Sequence, residues 1–199
     1  GFRKINIRKT KTDPIDSAII ADMLRLSEPP QVNEIKDLNL IQLRELVRIR
    51  HRLIEKQSMC KIQLIRNIDT IWPDYESVMP TVFGTTSIAI LKKYSVPSKV
   101  RAQSIEQFYE LVKKASRSKI SRNKAEEIYA HAGNILTIPE IESIITIEIK
   151  TLIKQLELYD KQIESIDIKI NEMMKSIESK ILSIPGIGEI LGPIILGEI

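Results

Sequence analysis

From Ile149 onward the apolar residues recur at alternating intervals of three and four: Ile149, Leu152, Leu156, Tyr159, Ile163, Ile166, Ile170, Met173 and Ile177. A seam with that mean period predicts a helix packed along another long helix, as in a coiled coil. Taken over 139–181, with Pro139 at its start, the helix would be about 60 Å long, too long for one small globule. Its partner is therefore a second long helix of the same chain or a second copy of the chain, and the expectation is a homo-oligomer held through the coiled coil.

A second long helix is predicted over 38–71, ended by Trp72-Pro73, with Leu43, Leu46, Val47, Ile49, Leu53, Ile54, Cys60, Leu64, Ile65 and Ile68 on its apolar side. Between the two long helices the pattern is broken into shorter helices over 86–94, 104–116 and 122–133, separated by Ser-Val-Pro and Ser-Arg-Ser-Lys. Before them, residues 2–8 read as a short extended entry, and a helix starts at Thr12 or Asp13 and is stopped by Pro29-Pro30. The natural segments are 1–37, 38–75, 76–138, 139–181 and 182–199.

Composition supports helix over sheet. Aromatics make up 5% of the 199 residues, and the abundant isoleucine sits at helical spacings among Lys and Glu. A single cysteine, Cys60, excludes an internal disulfide, and the two histidines, His51 and His131, stand apart from any zinc-type cluster. No run of about 18 apolar residues could span a membrane, and Gly1-Phe2-Arg3-Lys4 does not open a signal peptide. The expected setting is the reducing cytoplasm, without a membrane partner.

The net charge of +4 hides a strong polarity. Residues 1–12 hold five basic residues and no acid, and 44–66 carry seven Lys/Arg against Glu45 and Glu55. Residues 92–124 carry ten Lys/Arg against Glu106 and Glu110, whereas 140–180 hold nine acids against six lysines. The basic zones suit a polyanion, although a solvated helical surface explains charge of this kind equally well.

Two motifs could carry chemistry. Lys11-Thr12-Asp13-Pro14-Ile15-Asp16 places two carboxylates on one face of a first helical turn, roughly 5–6 Å apart at Cβ. Such a pair could hold Mg²⁺ or Mn²⁺, which take carboxylate oxygens together with water and phosphate oxygens. The plainer alternative makes Asp13 the N-cap, with Asp16 completing a capping box. The second motif, Ile184-Pro185-Gly186-Ile187-Gly188-Glu189, reads as the hairpin of a helix-hairpin-helix element. Glycines there would let backbone N–H groups reach a DNA phosphate, or serve the turn geometry alone.

In this order and at these separations, three stretches resemble the DEDD transposases of insertion sequences, whose better-known members are bridge-RNA-guided recombinases. RKTKTDPIDSAIIADML is similar to that family's K-T-D-x-x-D-A segment. LIQLRELVRIRHRLIEKQSMCKIQLIRNID resembles its arginine-rich helix, and LSIPGIGEILGPIILGEI resembles the opening of its C-terminal transposase domain. The resemblance implies a mainly α chain made of the end of a RuvC-like, RNase-H-fold domain, long coiled-coil helices and a short helix-hairpin-helix-like C-terminal element. It implies that Asp13 and Asp16 are the third and fourth metal-binding catalytic acids, and that DNA and a structured guide RNA are partners. Lys9, Lys11, Arg44, Arg48, Arg52, Gly186 and Gly188 are the candidate nucleic-acid contacts.

Ser17 replaces the family's usual alanine. The family's first two acids precede the matching segment, and its nucleophilic serine follows the Pro-Gly-Ile-Gly helix. The expectation is therefore a fragment of a DNA-cutting and joining transposase that binds metal weakly and is inactive alone. Two rival classes stay open: a non-enzymatic coiled-coil assembly module, and a self-contained junction nuclease with Asp22 and Glu28 as its only nearby further acids.

Overall fold

In the computed structural model the chain divides into two compact units, Gly1–Gln42 and Leu43–Ile199. The structure describes residues 38–177 and 179–198. The described part of the first unit is the opening of the first helix; the extended entry and the helix expected near Asp13 lie outside the described residues.

Every regular element among the described residues is helical. Helix α1 is Leu38–Ile71 and helix α7 is Pro139–Ser176. Between them lie α2 (Tyr75–Val78), α3 (Thr85–Lys93), α4 (Pro97–Arg101), α5 (Ile105–Ala115) and α6 (Arg122–Asn134). A 3₁₀ turn at Ile181–Ser183 and helix α8, Leu191–Glu198, follow.

Within the second unit α1 and α7 run antiparallel. Arg50 of α1 donates to Asp167 of α7, Gln57 bonds Asp160, and the Cys60 thiol donates to the Leu152 carbonyl. Rising numbers on α1 thus meet falling numbers on α7. Cys60 is buried, and burial pushes its thiol pKa up, as suits a small core residue rather than a nucleophile.

The seam read from the sequence is continuous, but the buried core along it is not. One cluster joins Cys60, Leu64 and Ile68 of α1 to Ile149, Leu152, Ile153 and Leu156 of α7, under the cover of α2–α6. A second, at the other end, joins Leu43 and Val47 to Ile170, with Ile166, Met173, Ile177 and Leu196 packed against it. Between them Tyr159 and Ile163 are only half-buried. Two helices alone cannot enclose a seam from all sides, and among the described residues no third element covers it here.

The head formed by α2–α6 is held by caps and aromatic packing. Ser104 and Gln107 form a reciprocal capping box at α5, Ser121 caps α6, and Pro97 opens α4. Trp72, fully buried just beyond α1, lies 4.7 Å from Tyr75 ring to ring and donates its indole N–H to His131 Nδ1 at 3.0 Å. His131, which the sequence leaves without a partner, is therefore the acceptor that joins α6 to the end of α1.

The Tyr94 hydroxyl is buried with no hydrogen-bond partner. Tyr94→Phe is expected to leave stability unchanged or raise it by up to about 1 kcal/mol, because an unpaired buried hydroxyl carries a desolvation cost that phenylalanine avoids. A loss above about 1 kcal/mol in chemical denaturation would contradict this assignment.

The long C-terminal helix stops at Ser176, short of the expected 181. Ile177 is extended, and the Ser179 hydroxyl accepts from the Ile181 N–H, a local bond that competes with helix. The limb before the Pro-Gly turn is consequently a single 3₁₀ turn, followed by α8 as the second limb.

Candidate nucleic-acid interface

Arg44, Arg48 and Arg52 follow one another at intervals of four on α1, which stacks them on one face of the helix. The structure divides this row. Arg44 is half-buried, and its Nε donates to the carbonyl of Gly197 in α8. Arg48 places Nε and Nη2 at 3.2 and 3.3 Å from the two carboxylate oxygens of Glu198. Glu45 lies 3.8 Å from the same guanidinium. Arg52 is exposed and makes no ion pair among the described residues.

Gly197 sits tightly against α1: a Cβ at that position would stand 3.1 Å from the Arg44 Cα, so a larger residue would require the two helices to give by a few tenths of an ångström. The Arg48 fork lowers the Glu198 pKa through hydrogen bonding and charge, and Glu198 in turn raises that of Arg48. Both side chains are about half exposed, 48% and 53%, so water screens the pair and its contribution to stability is small. A carboxylate in the arginine fork has the geometry that a phosphate would take.

Arg50, two residues from Arg48, turns to the other side of α1 and pairs with Asp167 of α7. It holds the helix pair together and is not free for a ligand. Its position off the four-residue row was the signal for this in the sequence. Lys56 and Arg66 are exposed on α1 without ion pairs among the described residues, and with Arg52 they form its available cations. An open groove of about 280 Å³ reaches Arg52 but not Lys56 or Arg66; it is lined by Val47, Arg48, His51, Arg52, Ile194 and Glu198 among others. Glu198, which the sequence reading passed over, is thus part of this site; nothing local in the sequence marks a contact spanning 150 residues.

Gly186 and Gly188 are exposed in the turn before α8, and a side chain at either would meet open space. Gly186 has φ of +88°, so the turn itself demands glycine there. Gly188 has no such backbone; its carbonyl accepts from Gly192 at 2.9 Å. The structure does not bring these glycines and the available α1 cations into one groove.

Lys9, Lys11, Asp13 and Asp16 lie outside the described residues. Among the described residues no group of three or more His, Cys, Asp or Glu could hold a metal ion, and no helix is long and apolar enough to cross a membrane.

Residues 1–73 match the family model DEDD_Tnp_IS110, described as Transposase. That stretch contains Asp13 and Asp16 together with the whole arginine row, so the N-terminal third of the chain is similar to an insertion-sequence transposase of the DEDD type. No curated protein and no solved structure matches the chain.

Proposed function

We propose that the chain is part of a DNA transposase or site-specific recombinase, with residues 1–37 forming the end of a RuvC-like domain. On this reading α1 and α7 make an antiparallel coiled-coil stalk, and residues 182–199 open a C-terminal transposase domain. The observation that carries the reading is the transposase match over residues 1–73, which includes Lys11-Thr12-Asp13 and Asp16. Asp13 and Asp16 would hold Mg²⁺ or Mn²⁺, since their paired carboxylates suit a hard cation. A bound divalent ion supplies charge stabilisation at a phosphodiester. The residues' own task is to fix that ion beside the strand, while Lys9 and Lys11 place the backbone.

Arg52, Lys56 and Arg66 are the α1 cations open to DNA or a structured guide RNA, with Arg44 and Arg48 joining them where α8 moves away. Replacing Arg52, Lys56 and Arg66 together with alanine should weaken duplex and structured-RNA binding across sequences. The slope of log affinity against log salt should fall by about one per residue. Gel shifts that show no binding by the intact chain at low salt would remove the nucleic-acid reading. The second reading, a non-enzymatic assembly module, is supported by the long helix pair itself. Light scattering that shows stable oligomers with no affinity for DNA or RNA would favour it.

A further inference from the structure

The head carries a pocket that neither the paired acids nor the arginine row uses. It has a volume of about 420 Å³ and is lined by Thr85, Thr86, Ser116, Arg117 and Lys119 among others, with no carboxylate in its wall. One side is the N-terminus of α3, a helix of nine residues. Its N-cap is Gly84, whose lack of a side chain leaves the first-turn amides without the oxygen that Ser, Thr, Asp or Asn would supply. The macrodipole adds partial positive charge at the same place.

A separate observation concerns Thr86. It is only 8% exposed, it lines this pocket, and its hydroxyl makes no hydrogen bond within the protein. Its hydroxyl keeps a donor that no protein group takes, open to an acceptor entering the pocket. Across from it, Arg117 and Lys119 follow α5, where Arg117 and Ser118 both have left-handed backbones, φ 52° and 61°. Both cations are exposed and unpaired among the described residues. Amides at a helix start, one hydroxyl without a protein partner and two unpaired cations form a donor set that suits an oxyanion such as phosphate.

We propose that this pocket binds a phosphate group, as a backbone diester of a nucleic-acid strand. The phosphate chemistry rests on the pocket alone, and the strand as its source rests on the nucleic-acid reading above. The test titrates the intact chain with inorganic phosphate and, separately, with duplex DNA and a structured RNA, following backbone amide resonances. Phosphate should shift Thr85 and Thr86 selectively. R117A/K119A should abolish those shifts and lower the salt slope of strand binding by about one to two. Thr86→Val should weaken phosphate binding and Thr86→Ser should retain it, with circular dichroism confirming that each variant is folded.

If phosphate leaves Thr85 and Thr86 unmoved, the pocket assignment is overturned. If R117A/K119A binds strands as the parent does while loss of Arg52, Lys56 and Arg66 weakens them, the nucleic-acid reading stands and the strand assignment of this pocket falls. If phosphate moves Thr85 and Thr86 but no strand binds the intact chain, the pocket is a phosphate site and both strand assignments are overturned.

Discussion

Trp72→Ala is expected to destabilise the second unit by about 3–5 kcal/mol, the usual range for deleting a fully buried large aromatic. For a unit of this size that is a fall in Tm of about 6–20 °C. Three contacts are lost together. The ring leaves a cavity against Tyr75, 4.7 Å away, inside the core shared by α1, α6 and α7. His131 Nδ1 loses the indole donor that ties α6 to the end of α1. Tyr75, whose hydroxyl bonds Ser87 of α3 at 2.9 Å, loses the neighbour that fixes its ring. Trp72→Phe separates these effects in part, because it keeps one six-membered ring in the core and removes the N–H with the rest of the indole. His131 is half-buried, so water can replace part of the lost bond, and the cost should sit near the lower end of about 1–3 kcal/mol. Chemical denaturation followed by circular dichroism measures both. A Trp72→Ala protein within about 1 kcal/mol of the parent would mean that the head does not depend on this anchor.

The long elements were legible because their pattern repeats. Alternating intervals of three and four along α7 leave one helical solution, and Trp72-Pro73 and Pro139 mark ends that the chain obeys. The short helices α2 and α4, four and five residues long, were missed because so few residues establish no period. The seam also overstated the core. Periodicity reports which residues share a face, but not whether a third element arrives to cover that face, and at Ile163 none does among the described residues.

The site was legible only in part, for a related reason. Spacing places Arg44, Arg48 and Arg52 on one face but is blind to what packs there. α8 takes the first two through a backbone carbonyl and a carboxylate, with Gly197 set closely against the α1 backbone. The two glycines read as one class in the sequence differ: Gly186 has a left-handed backbone that its turn requires, whereas Gly188 does not. The pocket beside Thr86 joins residues from the start of α3 and the loop after α5, which no motif connects.

On the proposed function, Asp13→Asn and Asp16→Asn should each abolish DNA cleavage and joining by a transposase that includes this chain, while its fold survives. The two roles open to Asp13 make opposite demands. As an N-cap it is replaceable, since asparagine caps a helix about as well as aspartate. As a metal ligand it is not, because the amide removes a hard anionic oxygen that Mg²⁺ and Mn²⁺ favour. Two carboxylates one turn apart also repel each other, and a divalent cation between them relieves that repulsion. Changes that merely support a metal ligand cost about 10–100-fold in activity or affinity, so loss of the ligand should exceed about 100-fold. Two measurements separate the roles: strand-cleavage rate against Mg²⁺ concentration, and the rise in Tm that Mg²⁺ produces by binding the folded protein. Both should be large in the parent and absent in each variant, with Tm unchanged when no metal is added. Parent-like cleavage in either variant would leave capping as the whole role of that aspartate and remove the metal site from the proposed function.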